Sequence, residues 1–177
     1  MSRPLCPFLA VLFVAACGSP NPPTPPPVDE GMCASKGIVQ AVSADRTHLH
    51  TCQELCGNGL NPPTSGPHCS ITSACRVFTT AEPMCQWIHN LEHGHVVLLY
   101  NCPEGCPEIV EALTSVWEEA PSPKRILVTP WPGLERKVAA VVWGASWSGD
   151  EVDSGAIDCI LARQDQGAPE PGLGCIQ

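Results

Sequence analysis

The clearest patterns of apolar and polar positions lie in the second half of the chain. Residues 95–100, HVVLLY, are almost continuously apolar, as in a strand that is buried on both faces. Residues 106–120 predict an amphipathic helix, because apolar side chains recur at helical spacing at Ile109, Val110, Leu113, Val116 and Trp117. Two further apolar runs, 125–130 and 137–144, predict strands. This order indicates a strand–helix–strand unit followed by an adjacent strand.

Two more segments carry helix signals. Residues 82–94 predict a short helix, since Pro83 suits a first turn and Gly94 suits the position after the last turn. Residues 154–166 predict a final helix, and we expect Ser154 to cap its N-terminus.

The first part of the folded region contains less regular structure. Residues 37–42 are branched and apolar and predict a strand, whereas residues 43–75 are rich in Gly, Pro, Asn, Ser and Cys and predict a long loop. A loop of this length inside a domain is usually functional or cross-linked. Together the elements predict an α+β fold: a single domain with a small mixed or antiparallel sheet and helices packed on one face.

The N-terminal residues predict export. Residues 1–16 combine Arg3 with a short apolar run and small residues, as in a secretory signal peptide that is too short to span a bilayer. The sequence VAAC resembles a bacterial lipobox, which predicts cleavage before Cys17 and lipidation of that cysteine. An ordinary signal peptide, with Cys17 in a disulfide, is the alternative. Because Gly18 rather than aspartate follows, we expect an anchor in the outer membrane of a bacterial cell envelope.

Residues 17–30 are proline-rich and predict a stiff polyproline stalk between the lipidated cysteine and a globular domain at 31–177. The formal charge is −9, and removal of residues 1–16, which contain Arg3 and no acidic residue, leaves −10. An acidic chain without a lysine or arginine cluster is a poor nucleic-acid binder, because such binding depends on neutralising phosphates. We therefore expect no nucleic-acid partner. The lipid anchor predicts the membrane as a partner, and a protein or small-molecule partner stays open.

Cysteine usage predicts a disulfide-rich domain. Of twelve cysteines, Cys6 leaves with the signal peptide and Cys17 takes the lipid. An even set in an exported domain predicts disulfides, although spacing alone does not assign the pairs. For the two C-x-x-x-C pairs, Cys52/Cys56 and Cys102/Cys106, metal binding is the alternative to disulfide formation. The predicted disulfide cysteines are Cys33, Cys52, Cys56, Cys69, Cys75, Cys85, Cys102, Cys106, Cys159 and Cys175.

Several segments, in this order, resemble a known family: NPPTSGPH (61–68), HNLEHGHVVLLY (89–100), ILVTPWPGL (126–134), VVWG (141–144) and PEPGLGC (169–175). Together they resemble the bacterial domain-of-unknown-function family 3105, whose members are frequently exported or membrane-anchored. The resemblance implies a fold and a location but no activity. Its pattern matches His68, His89, Glu92, His93 and Gly94. It also contains an upstream histidine, a position that His48 or His50 could fill.

All six histidines lie between residues 48 and 95, which predicts a shared site. Neutral imidazoles with a carboxylate suit zinc or copper. On a helix His89 and His93 share one face. We therefore predict a metal site at His68, His89 and His93, with His50 and Glu92 as further candidates. Glu92 would be a ligand or would orient a ligand histidine.

Three other interpretations stay open. The histidines could be structural, with His89 bonded in the core, His93 at the helix end and Glu92 paired with a charge. The sequence H-x-x-E-H could belong to a metal-dependent hydrolase, in which Glu92 is the catalytic base. A sugar- or peptide-binding module could use Trp131 and Trp147 as a ligand surface.

Overall fold

A five-stranded mixed sheet forms the centre of the computed structural model, which describes residues 30–41 and 45–176. The spatial order of its strands is β1-β7-β6-β4-β5. Strands β4 and β5 are parallel, and the other neighbouring pairs are antiparallel. Strands β2 and β3 form a separate parallel pair. In chain order the elements are α1 Glu30–Ala34, β1 Val39–Gln40, β2 His48–Leu49, β3 His68–Cys69, α2 Met84–Glu92, β4 Val96–Tyr100, α3 Pro107–Glu119, β5 Ile126–Pro130, β6 Val138–Val142, β7 Ala145–Gly149 and α4 Ser154–Leu161.

The side chains of the central strands alternate between two cores. Val96 and Leu98 of β4 pack with α3 and α4, and Val97 and Leu99 pack on the other face with α2. All four are fully buried, because helices or the disulfide-linked loop cover both faces. The α+β fold class is therefore confirmed, with one correction to its detail: α3 and α4 share a face, whereas α2 lies on the opposite face.

The helices and strands predicted beyond residue 82 are present, with small changes at their ends. Helix α2 ends with Gly94 in the left-handed region, at φ +78°, as the sequence predicts. The predicted cap of α4 is wrong: the Asp153 carboxylate accepts a hydrogen bond from the Ala156 amide at 3.0 Å, so Asp153 is the cap. The same helix ends at Leu161 rather than 166, and the turn that follows it contains Asp165 at a positive φ of 67°, paired with Arg125.

Five elements differ from the sequence prediction, and two of them, strands β2 and β3, lie in residues 43–75, which were predicted as a loop. Strand β1 contains only two residues of the predicted segment 37–42. Helix α1 and strand β7 were not predicted, since β7 has the sequence ASWSG, whose small residues carry little strand signal. The turn between β6 and β7 contains Gly144 at φ +75°, and it allows β7 to pair along all of β6.

All ten predicted cysteines form disulfides: Cys33–Cys159, Cys52–Cys69, Cys56–Cys85, Cys75–Cys175 and Cys102–Cys106. Three of these bonds pin the long loop of residues 43–75: Cys52 is joined to Cys69 within the loop, Cys56 is joined to Cys85 of α2, and Cys75 is joined to Cys175. The loop that carries His68 is thereby fastened to the helix that carries His89.

The signal peptide, the lipidated Cys17 and the proline stalk up to residue 29 lie outside the described residues, and these stay predictions. Within the described part of the chain, no helix combines the length and the apolar character that a membrane crossing requires.

Candidate metal centre

Three imidazoles and one carboxylate converge between the β2–β3 pair and helix α2. One potential donor atom from each of His48, His68, His89 and Glu92 lies within 4.8 Å of all the others. The Glu92 Oε2 atom lies 2.9 Å from His68 Nε2, 3.3 Å from His48 Nε2 and 3.8 Å from His89 Nε2. We call these four residues the His/Glu cluster.

Strand pairing brings the first two histidines together. His48 of β2 is the register partner of His68 of β3, so in this parallel pair the two side chains are neighbours. Their ring centroids lie 4.9 Å apart. The pairing is supported by a hydrogen bond from the His68 amide to the Thr47 carbonyl at 3.0 Å. Residues separated by twenty positions in the sequence therefore meet at one point.

The segment before His68 is held by a close backbone approach. Gly66 has φ +112°, and a Cβ atom there would overlap the backbone of Gly57. The amide of Gly57 donates to the Pro67 carbonyl at 2.9 Å. Asn58 donates to the hydroxyls of Thr64 and Ser65, which are fully buried. The turn-forming residues thus serve to place His68, and the hydroxyl of Ser65 is engaged in this structural network.

Helix α2 supplies the other two donors. His89 and Glu92 are three residues apart, so they lie on the same side of the helix. Trp87 and Leu91 bury the helix against the sheet. The C-terminal end of the helix is fixed by Arg125, which donates to the His93 carbonyl at 2.6 Å and to Asp165. The donors of α2 therefore stand on a rigid, buried element.

Hydrogen bonding defines which nitrogen of the neutral His68 ring carries the hydrogen. The Gly66 carbonyl can only accept, so His68 Nδ1 carries a hydrogen and donates to it at 2.8 Å. In the neutral ring Nε2 is then a lone pair, and it faces the Glu92 carboxylate at 2.9 Å. Two lone pairs at this distance repel, so either a second proton or a cation must lie between them. His68 and Glu92 are both buried, so water does not compensate this repulsion, and leaving it uncompensated would be costly.

His89 is held in the form that binds metals. Burial lowers the pKa of His89 to about 4, and the nearby rings of His68 and His93 add to the shift. The ring is therefore neutral at pH 7 and keeps one free lone pair. Its Nδ1 atom is buried and has no hydrogen-bond partner among the described residues. The nitrogen that faces Glu92 is Nε2, at 3.8 Å, and it would be the metal-binding atom, with the hydrogen of the neutral ring on Nδ1.

The three donor–donor distances that involve Glu92 are compatible with metal coordination. Zinc bound at about 2.0 to 2.1 Å by four tetrahedral donors has donor–donor edges of about 3.3 Å. The distances of 2.9, 3.3 and 3.8 Å around Glu92 Oε2 bracket that edge. Nitrogen and carboxylate donors of this kind suit zinc and copper alike. The four residues could therefore hold a divalent metal ion, and Glu92 would then be one of its ligands.

Not all of the histidines predicted as ligands join this group. His93 packs its ring against His89 at 4.5 Å, but its Nε2 pairs with Glu170 at 3.6 Å, and it is not one of the four donors. His50 is exposed, and His48 occupies the place considered for it. In the sequence, His48 was marked only by its position upstream of the PPTSGPH segment. His50 has the same position, so the sequence did not distinguish the two.

The hydrolase and ligand-surface interpretations need arrangements that differ from this geometry. A hydrolase of the H-x-x-E-H type needs metal on His89 and His93 with Glu92 free as a base, whereas Glu92 here faces three imidazoles. Trp147 is buried in the core, and Trp131 packs edge-on against Trp87 with centroids 5.7 Å apart. Both tryptophans thus have packing roles.

His95 is a structural residue in a second group of potential ligands, with Cys75 and Cys175. Those cysteines form a disulfide. The Leu173 carbonyl accepts from His95 Nε2 at 2.7 Å, so Nδ1 is a lone pair and accepts from Asn90 at 3.0 Å. Both ring nitrogens are satisfied, and the residue fastens the C-terminal segment to α2.

This arrangement predicts a pH-dependent loss of stability. Burial lowers the pKa of His95 to about 4, below the value of about 6.5 expected in the unfolded chain. Between these values the unfolded state binds the proton and the folded state does not, so stability is full above pH 6.5 and falls as the pH drops towards 4. Compared with His95→Gln, the metal-free parent should lose on the order of 2 kcal/mol more between pH 7 and pH 4.5 in urea titrations. Equal losses in the two proteins would contradict the assignment.

Comparison with known proteins identifies the family without a function. No curated protein and no solved structure matches the chain. The model of one family, described as a protein of unknown function (DUF3105), matches residues 50–177. The matched region contains His68, His89 and Glu92 and begins two residues after His48. Since it covers most of the sequence, the chain belongs to the DUF3105 family of proteins of unknown function.

Proposed function

We propose that the protein binds one divalent metal ion, zinc or copper, through His48, His68, His89 and Glu92. A single observation carries the proposal: a buried carboxylate oxygen lies within 2.9 to 3.8 Å of three imidazole nitrogens. The lone pair of His68 Nε2 adds support, because it faces the Glu92 carboxylate and calls for a proton or a cation between them. Neutral imidazoles and one carboxylate would leave a bound divalent ion with a net charge of +1.

The competing structural interpretation makes His68 an imidazolium paired with Glu92. It would explain the 2.9 Å contact, and a neutral His48 could donate a second hydrogen bond to Glu92 at 3.3 Å, but it assigns no role to the His89 nitrogen that lies 3.8 Å from the same oxygen. Two further imidazoles around a carboxylate that is already neutralised add no charge compensation. A metal ion accounts for all four side chains together.

Metal analysis of four proteins tests the proposal. The full chain, without a histidine tag, is compared with His68→Ala, His93→Ala and His50→Ala. After incubation with zinc or copper and removal of loose metal, we expect about one metal ion per chain in the parent. His93→Ala and His50→Ala should keep it, and His68→Ala should lose it. Trace metal in the parent would reject the proposal, and loss in His93→Ala would favour the ligand set predicted from sequence.

We further propose that the metal is bound in a lipid-anchored, exported protein of the bacterial envelope. The proposal is supported by the sequence of residues 1–17 and by five disulfides, which persist in oxidising compartments. The preparation used for metal analysis provides the test. The full chain expressed in a bacterium should be recovered with outer membranes, and recovery of processed protein in the soluble fraction would contradict the anchor.

A further inference from the structure

The four donors of the His/Glu cluster differ sharply in exposure. The side chains of His68, Glu92 and His89 are 0%, 3% and 9% exposed. The side chain of His48 is 49% exposed. Three donors therefore form the floor of the site, and the fourth forms its boundary with solvent. A ligand arriving from outside would meet His48 first.

The donors also differ in how firmly they are held. His89 and Glu92 belong to a buried helix. His68 is fixed by its ring hydrogen bond to Gly66, and the next residue, Cys69, is joined to Cys52 by a disulfide. His48, by contrast, lies on a two-residue strand that pairs only with β3 in the described sheets. Its ring can turn out of the site without disturbing a core or a covalent link.

A metal on the three inner donors would still accept a fourth ligand. Two imidazoles, one carboxylate and one open position form a coordination shell typical of sites that exchange their last ligand. The net charge of +1 on such an ion would attract a lone-pair donor. An imidazole from solution has the same donor atom as His48 and would occupy the same position.

We infer that His48 is a displaceable ligand, so that the metal stays on His68, His89 and Glu92 while an external imidazole donor replaces His48. Such a donor would be a histidine of another protein, and free imidazole is its simplest probe. This inference rests on the proposed metal-binding function and deepens it. With only three protein ligands left, the metal ion should leave the site faster, so a partner that replaces His48 could take the ion up from this face.

The test uses the copper-loaded parent and the variants His48→Ala, His50→Ala and His68→Ala. His50 is the matched control, since it is an exposed histidine two residues away and outside the cluster. We expect His48→Ala to keep one copper per chain and to bind it more weakly than the parent, because one ligand is lost while the three buried ligands remain. Millimolar imidazole should return its visible and electron paramagnetic resonance spectra to those of the parent, and His50→Ala should resemble the parent throughout.

The parent offers a second measurement that needs no substitution. Its copper is transferred to an excess of chelator, and the transfer rate should rise at least several-fold with added imidazole. A rate independent of imidazole would overturn the inference, as would loss of copper from His48→Ala to the extent seen in His68→Ala. An unchanged spectrum in His48→Ala would also overturn it, because His48 would then not be a ligand.

These results separate the inference from the function on which it rests. If the parent and His50→Ala both fail to bind copper or zinc, the metal-binding proposal itself is wrong. If both bind and only the behaviour of His48→Ala departs from expectation, metal binding stands and ligand displacement is rejected.

Discussion

Replacement of Glu92 by glutamine should weaken metal binding by more than about 100-fold. Residues that only orient a ligand typically change metal affinity by about 10- to 100-fold, so a direct ligand is expected to exceed that range. Glu92 Oε2 is the common neighbour of all three imidazoles, and the substitution removes the negative charge from the centre of the cluster. Competition titrations with a chromophoric chelator measure the affinity of the two proteins.

Glu170→Gln is the matched control for this substitution. Glu170 also faces a histidine, His93, at 3.6 Å, but it is half exposed and lies outside the His/Glu cluster. Its replacement should leave the affinity within about twofold of the parent. Thermal melting of the metal-free proteins checks that both variants fold. An affinity loss below about 100-fold in folded Glu92→Gln would instead place Glu92 behind the ligands, as an orienting residue.

Removal of the Cys33–Cys159 disulfide should produce the largest loss of stability. This bond joins α1 to α4 across 126 positions, and in the chain-entropy description a loop of that size contributes about 5 kcal/mol to the free energy of unfolding. The double variant Cys33→Ala/Cys159→Ala avoids burying new polar atoms at two positions that are almost completely buried. Urea unfolding of the metal-free proteins at pH 7 measures the difference.

The bond between Cys102 and Cys106 provides the control, because its cysteines are only four positions apart. Its removal should cost about 2 kcal/mol by the same relation. Both double variants should still bind one metal ion, since neither disulfide includes a residue of the metal-bearing elements. Equal destabilisation by the two removals would show that loop size does not govern the contribution of these bonds.

Local sequence signals were sufficient for most of the fold. The apolar run at 95–100 predicted a buried strand, and the helical spacing of apolar residues in 106–120 predicted a helix. The structure has these elements at Val96–Tyr100 and Pro107–Glu119. Pro83 and Gly94 bounded α2 for conformational reasons that belong to those two residues. The prediction failed where the local pattern is weak. Strand β7 is made mostly of small residues, and its strand conformation depends on pairing with β6.

The candidate site was only partly accessible to sequence reasoning. Clustering of the histidines predicted a site, and His68, His89 and Glu92 were named in it. The helical spacing of His89 and His93 suggested a ligand pair, but that spacing does not state where either ring points. The structure turns His93 towards Glu170 and brings His48 in by strand pairing. His48 and His50 are only two residues apart in the sequence. They differ because His48 pairs with His68 of β3, whereas His50 lies beyond the end of β2.

The sequence by itself determined most of the helices and strands beyond residue 82, the use of all ten cysteines in disulfides and the concentration of histidines, because these follow from local periodicity and composition. The tertiary structure alone decided the disulfide pairs, the cover of α2 on the second face of the sheet and the identity of the four donors. Those features depend on distances between residues far apart in the chain. Such distances are fixed only when strand register, helix packing and cross-links act together.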